Sequence, residues 1–197
     1  MNSVSNLPSR TEALNTLREI GCSESVINHS LLVTKIAMEI ASSISRKRSV
    51  NLHLVEIGGL LHDIGRSTTH GVRHGLVGSE ILEKLDYPHT LVQLVRNHVG
   101  AGIPHEEAKA LGLRPTDYLP TTVEEKVVCY ADKLVSGSNG VTFEEALKSF
   151  ENLGPRHPAI ARFRALHQEL VELTGGTING TGTRRENPSG KRRQVPD

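Results

Sequence analysis

Ten histidines occur in this 197-residue chain, and six of them, His53, His62, His70, His74, His89 and His98, fall in a single stretch. Histidine is the commonest metal ligand and the usual acid–base group near neutral pH. At the centre of the stretch stands Leu60-Leu61-His62-Asp63-Ile64-Gly65-Arg66. The adjacent His-Asp pair offers a cation one nitrogen and one carboxylate. His29 lies 33 positions upstream, four before Val33, on an apolar helical stripe. Asp132 lies downstream in Tyr130-Ala131-Asp132-Lys133-Leu134, among Val127, Val128, Leu134 and Val135. A carboxylate in such surroundings costs several kcal/mol unless it is paired or metal-bound. One cation taking His29, His62, Asp63 and Asp132 satisfies all of them together. This N/O donor set suits Mn, Fe, Co, Ni or Zn better than Ca. Open coordination positions would hold an activated water and a phosphoryl oxygen, the chemistry of phosphate-ester hydrolysis.

The elements that must position these residues read as helices. Capping boxes at Ser9-Arg10-Thr11-Glu12, Thr122-Val123-Glu124-Glu125 and Thr142-Phe143-Glu144-Glu145 open three of them. The pattern predicts helices over about 9–20, 24–45, 52–62, 75–85, 89–98, 123–135, 143–153 and 158–174. Pro104 opens a short further helix that Gly112 stops, and Gly175-Gly176 ends the last one. Gly58-Gly59 is poor helix material unless another helix must approach closely there. Neighbours on a helix diverge by about 100°, so the pair His62-Asp63 works best at a helix end. No segment shows sustained alternation, and the expected fold class is all-α. Residues 1–174 form the expected domain.

Lys and Arg number 23 against 22 Asp and Glu, a net charge of +1. That balance excludes a body devoted to coating DNA or an anionic membrane. The absence of Trp, with three Phe and three Tyr, argues against stacking platforms for single strands. No run is long and apolar enough for a membrane span. Cys22 and Cys129 are too few for a disulfide framework, are read as packing residues, and fit a reducing cytosol, so a cytoplasmic location is expected. Residues 175–197 carry five Lys or Arg, two acids, five Gly and two Pro. They read as a flexible basic tail, with Arg184-Arg185 and Lys191-Arg192-Arg193 as a weak nucleic-acid contact.

The order His29, His62-Asp63, Asp132, with Leu-Leu-His-Asp-Ile-Gly-Arg at its centre, resembles the HD-domain superfamily of metal-dependent phosphohydrolases. The resemblance covers about residues 9–150 and implies an HD-domain helical bundle. The stretch from Asn97 to Val135 is similar to a small archaeal-type subgroup with no settled substrate. In two-metal relatives further histidines follow the doublet. His74, in a His-x-x-x-Gly element ending at Gly78, and His98 match these, while the next position holds Val99 where the pattern has a second His. The resemblance thus implies either a second metal on Asp63, His74 and His98, or one metal with both histidines binding phosphate or donating protons.

Asp63, His74, His98 and Arg66 are the expected catalytic residues. Arg66 offers a bidentate fork for phosphate, as Arg73 would if it faced the site. Lys133 is expected at the pocket rim, His70 in a surface loop, and His53, His89, His105, His157 and His167 at the surface or at helix caps. Gly100-Ala101-Gly102 reads as the turn after His98. The resemblance implies hydrolysis of a nucleotide or similar small phosphate ester, mono- or diester, with a divalent metal as cofactor. Two alternatives remain open: a non-catalytic metal or nucleotide sensor, and an RNA-associated accessory domain.

Overall fold

A computed structural model of the protein describes residues 6–176 and residue 178. Among these residues the fold is an all-α bundle with one minimal hairpin. The elements are α1 (Arg10–Glu19), α2 (Glu24–Ser45), α3 (Leu52–Leu61), a 3-10 turn (Ile64–Ser67), α4 (His74–Lys84), α5 (His89–Asn97), α6 (His105–Ala110), α7 (Val123–Lys133), β1 (Val135–Ser136), β2 (Asn139–Gly140), α8 (Phe143–Glu151) and α9 (Pro158–Thr174). Most of the expected 175–197 tail lies outside the described residues.

Local signals set most boundaries. The boxes at Ser9 and Thr142 close in both directions, and Gly175 ends α9 with φ 78°. The box at Thr122 forms by half. Its hydroxyl accepts the Glu125 N–H, but the Glu125 carboxylate turns inward to Asn97 Nδ2 at 3.0 Å and to the Thr121 N–H at 3.1 Å. α7 stops two residues before the expected 135. Gly137, at φ 60°, lets the chain reverse, and Val135 pairs with Gly140 and Ser136 with Asn139. A two-residue strand leaves no alternation for a sequence pattern to reveal.

α3 is the centre of the bundle, packed against α2, α5 and α7. Apart from His53 and Glu56 it is apolar, and its residues Val55, Ile57, Leu60 and Leu61 have no exposure. Each such side chain contributes about 1.5–3 kcal/mol by leaving water. Gly58 and Gly59 make the approach feasible: a Cβ on Gly59 would lie 2.8 Å from Thr34 Oγ1 on α2, and one on Gly58 2.6 Å from Leu94 Cδ1 on α5. No helix among the described residues is long and apolar enough to cross a membrane.

Candidate metal centre

Four helix ends and one helix interior converge on a single spot. His62 caps the C-terminus of α3, and Asp63 follows at φ −98°, ψ 13°, outside the helix. The chain thus leaves helical geometry within the doublet, which lets both side chains face the same way. His29 comes from the second turn of α2, His74 from the first position of α4, His98 from the C-cap of α5, and Asp132 from the last turn of α7. The turn that holds Asp63 is locked against α4. A Cβ on Gly65 would sit 2.0 Å from the His74 carbonyl oxygen and 2.6 Å from the Gly78 nitrogen. The His-x-x-x-Gly element is therefore the first turn of α4 seated on Gly65.

The distances are short. His29 Nε2 lies 2.9 Å from Asp132 Oδ1 and 3.7 Å from Asp63 Oδ2. His62 Nε2 lies 3.6 Å from Asp63 Oδ2 and 3.5 Å from Asp132 Oδ1. The other oxygen of Asp63 faces the opposite pair: Oδ1 is 3.2 Å from His74 Nε2 and 3.5 Å from His98 Nε2. Asp63 thus divides its oxygens between two sets of histidines. His62 and His98 are fully buried, Asp63, His74 and Asp132 nearly so, and His29 is partly exposed.

The ring tautomers follow from the backbone. Nδ1 of His62, His74 and His98 lies 2.8, 2.8 and 2.7 Å from the carbonyls of Gly59, Gly71 and Val95. A carbonyl only accepts, so each Nδ1 carries its proton. In the neutral rings Nε2 then presents a lone pair, the arrangement metal-ligating histidines adopt. His74 Nε2 and His98 Nε2 face each other at 3.0 Å with Asp63 Oδ1 beside them. Three lone-pair atoms meet there without a donor. His62 Nε2 and Asp63 Oδ1 are buried with no hydrogen-bond partner. Orphaned buried groups of this kind are rare in native folds, and a divalent cation satisfies them. His29, His62 and Asp132 form one group of donors close enough to share an ion, and His62, Asp63 and His98 a second.

The charge states suit a cation as well. Burial alone would raise both carboxyl groups. The neighbouring His62 and His98 instead hold Asp63 below the usual range, and Lys133, with His29 and His62 close by, does the same for Asp132. Burial, with the neighbouring His98, lowers His74 to about 3, and burial lowers His98 too. His62 differs: burial opposes its protonation, but Asp63 and Asp132 outweigh that and raise its pKa.

The remaining expected residues fall as follows. Arg66 Nε donates to Asp63 Oδ2 at 2.6 Å, so the guanidinium is paired with a cluster carboxylate while also lining the entrance. Lys133 is bonded to Asp132 Oδ2 at the end of α7, a pairing that the 100° offset between neighbours conceals. His70 is exposed in its loop, as expected, yet borders the entrance beside Arg66. Arg73 is exposed at the N-cap of α4. His53, His89 and His105 are surface residues, and His157 caps α9 through Nδ1. His167 departs from the surface expectation. It is half-buried, stacked on Phe143 at 3.8 Å and bonded to the Tyr130 hydroxyl at 2.5 Å. Cys22 and Cys129 are buried and free, and burial pushes the Cys129 thiol up to about 12, consistent with packing.

Two clefts reach the cluster from outside. One, of about 470 Å³, is bordered by His29, Arg66, Asp132, Lys133, Ser136 and Ser149. The other, of about 320 Å³, is bordered by Ser25, His29, Asp63, Arg66, Gly137 and Ser138. The hairpin stands between them. Its residues carry no motif, and only the turn-rich run Ser136-Gly137-Ser138-Asn139-Gly140 signals a reversal in the sequence.

The family model for the HD domain matches residues 26–137. An uncharacterised protein of Methanocaldococcus jannaschii is 48% identical over 164 residues, covering 82% of this chain and 96% of that protein. A tRNA (cytidine(56)-2'-O)-methyltransferase of Picrophilus torridus is 38% identical over 173 residues, covering 88% of this chain but 49% of the methyltransferase. The chain thus spans about half the length of that relative. A ribonuclease Y of Thermosipho melanesiensis is 33% identical over 124 residues, 62% of this chain and 20% of the ribonuclease. Among solved structures, the HD domain of the L. monocytogenes phosphodiesterase PgpH superposes with a TM-score of 0.50 at 18% identity, covering 83% of this chain and 96% of that one. At that identity the likeness is one of fold.

Proposed function

The chain belongs to the HD-domain family, and we propose that it is a metal-dependent phosphohydrolase acting on a nucleotide or similar small phosphate ester. The observation that carries the reading is Asp63, whose two oxygens face two histidine sets in a buried cluster with orphaned donor atoms. His29, His62, Asp63 and Asp132 would hold one divalent ion. Asp63, His74 and His98 would hold a second. A divalent transition-metal ion held by these residues would supply Lewis acidity and the means to activate water for attack.

The chain's own residues do the rest. The ionised carboxylates and the neutral His74 and His98 are in the state that metal binding demands, while at His62 a cation would take the place of a proton. His74 and His98 suit ligation better than proton donation, because their N–H groups are spent on backbone carbonyls and their pKa values are lowered. Arg66 holds Asp63 in place and, being partly exposed, presents its remaining N–H groups to the entrance. Lys133 draws one oxygen of Asp132, leaving the other toward His29 and His62.

The test joins metal analysis of the purified protein to a panel of mono-, di- and cyclic phosphate esters. Turnover that disappears with chelator and returns with Mn, Co or Zn is the expected result. A fully metallated protein inert toward the whole panel would turn the reading to a nucleotide or metal sensor, checked by a ligand-dependent shift in Tm.

A second reading, association with RNA, has its own support in the identity to half of a tRNA methyltransferase and to part of a ribonuclease Y. The basic segment 184–193 would supply the phosphate contacts. Truncation after residue 176 should then abolish tRNA binding while leaving hydrolysis of small esters intact.

A further inference from the structure

We infer that the substrate is a linear phosphodiester whose two substituents leave the phosphorus through two separate clefts. This rests on the phosphohydrolase reading and says which kind of ester that site takes. Shape and charge carry it separately.

The two clefts share His29 and Arg66, so they meet at the mouth of the cluster. The hairpin divides them: Val135 and Ser136 border one, Gly137 and Ser138 the other. A phosphate seated beside Asp63 and Asp132 therefore has two exits, one past Ser136 and Ser149 and one past Ser25 and Ser138. A monoester has one substituent and leaves one cleft without an occupant. A cyclic mononucleotide returns both ester oxygens to one sugar and does the same. A linear diester fills both. Among the described residues bordering the clefts there is no Phe, Tyr or Trp. Ser25, Ser136, Ser138 and Ser149 stand there, suited to sugar hydroxyls and ester oxygens more than to stacked bases.

The charge agrees. A phosphomonoester carries about −1.5 to −2 near neutral pH, and a diester carries a single negative charge. Among the described residues, the fixed cations bordering the clefts are Arg66 and Lys133. Each is already bonded to a cluster carboxylate. Beyond the metal ions, the clefts thus add no unpaired fixed cation for the second charge of a monoester, and Glu145 on the wall of the larger cleft adds a negative one. In the reaction one bond forms between a water oxygen and phosphorus, and one phosphorus–oxygen ester bond breaks. The departing oxygen takes up a proton, giving an alcohol and a phosphomonoester.

The test uses the full chain loaded with Mn. Hydrolysis of adenylyl-(3'→5')-adenosine is compared with that of AMP and 3',5'-cyclic AMP, and bis(p-nitrophenyl) phosphate with p-nitrophenyl phosphate. The diester is expected to lead its monoester and cyclic counterparts in kcat/KM by at least about 100-fold. Equal or better hydrolysis of the monoesters or of cyclic AMP overturns the assignment while leaving the phosphohydrolase reading intact. Ser138→Trp, an exposed change in the hairpin turn, should narrow the smaller cleft. It is expected to raise the KM for the dinucleotide at least about tenfold more than that for methyl p-nitrophenyl phosphate. If no ester is hydrolysed, the phosphohydrolase reading falls. Calorimetry with the phosphorothioate analogue of the dinucleotide against that of AMP then decides the cleft assignment: tighter binding of the diester sustains it, and equal or weaker binding overturns it.

Discussion

On the α2–α7 side of the cluster, His62 stands between two carboxylates and its pKa is raised; on the α4–α5 side, His74 and His98 face each other and theirs are lowered. The first side has four donors, a lysine on one carboxylate and a partly exposed histidine. The second has three donors, with Val99 beyond His98, and both of its histidines buried. Neighbouring charge, more than burial, separates them, since His62 and His98 are both fully buried. The first side gathers negative charge that a cation must balance. The second has little beyond one oxygen of Asp63, and should hold an ion more weakly.

Removing what the sides share has the largest effect. Asp63→Ala takes an oxygen from each and should abolish metal binding on both. Turnover should fall by more than the ~10–100-fold that follows loss of an outer-sphere partner. Metal analysis by mass spectrometry with the ester assay checks both parts. Bound metal at the wild-type level would break the picture of Asp63 as the shared ligand.

Substitution on one side alone sharpens the comparison. His98→Ala should leave one equivalent of metal on the first side and lower turnover by about 10–100-fold. His29→Ala should instead release metal from the first side. If the ion left in His98→Ala is bound no more tightly than the ion left in His29→Ala, the inequality of the sides is wrong.

The opposite pKa shifts predict opposite pH behaviour of the metal-free protein. His74, lowered to about 3 in the folded state, binds more protons when unfolded. Its contribution is present above the unfolded value near 6.5 and is lost as pH falls below it, by about 2 kcal/mol at pH 5. His62, raised in the fold, contributes below about pH 6.5 and loses that contribution as pH rises through its folded pKa. Urea midpoints of chelated protein from pH 5 to 8 should therefore show the acid loss shrinking in His74→Ala and the alkaline loss shrinking in His62→Ala. Saturating metal should flatten the acid limb over the range where the ion stays bound.

The legible and illegible parts of this molecule divide by range. Ser9, Thr142, Gly112 and Gly175 act within a turn or two of themselves, so helix ends could be read along the chain. The doublet and Asp132 stood out because a carboxylate amid Val127, Val128 and Leu134 demands a partner. The choices that packing makes were hidden. Glu125 satisfies the rule for a capping box, yet turns to Asn97 because α5 ends beside it. His167 looks like any surface histidine until Phe143 lies flat against it. Arg66 and Lys133 read as candidates for phosphate or rim, and their pairing with Asp63 and Asp132 depends on where a 3-10 turn and a helix end bring them.

The smallest effect concerns how α3 delivers His62 to both sides. Gly58→Ala would meet the end of the buried Leu94 side chain, which must shift, while the better helix propensity of Ala offsets about 1 kcal/mol. A smaller loss of stability than for Gly59→Ala is expected. Gly59→Ala would meet Thr34 at Oγ1 and, at 3.0 Å, its Cα. Thr34 is fixed, since its hydroxyl donates to the Ser30 carbonyl at 2.7 Å and its Cα belongs to α2. The helices must separate, at a cost of about 1–3 kcal/mol. The Gly59 carbonyl also accepts the Nδ1 proton of His62, so that separation should reach the metal. Urea midpoints and metal Kd values for the two variants check this: Gly59→Ala should weaken both, while Gly58→Ala should move neither by more than a few-fold. Equal effects would mean that α3 adjusts as a rigid rod, and that the sides of the cluster are not set by its contact with α2.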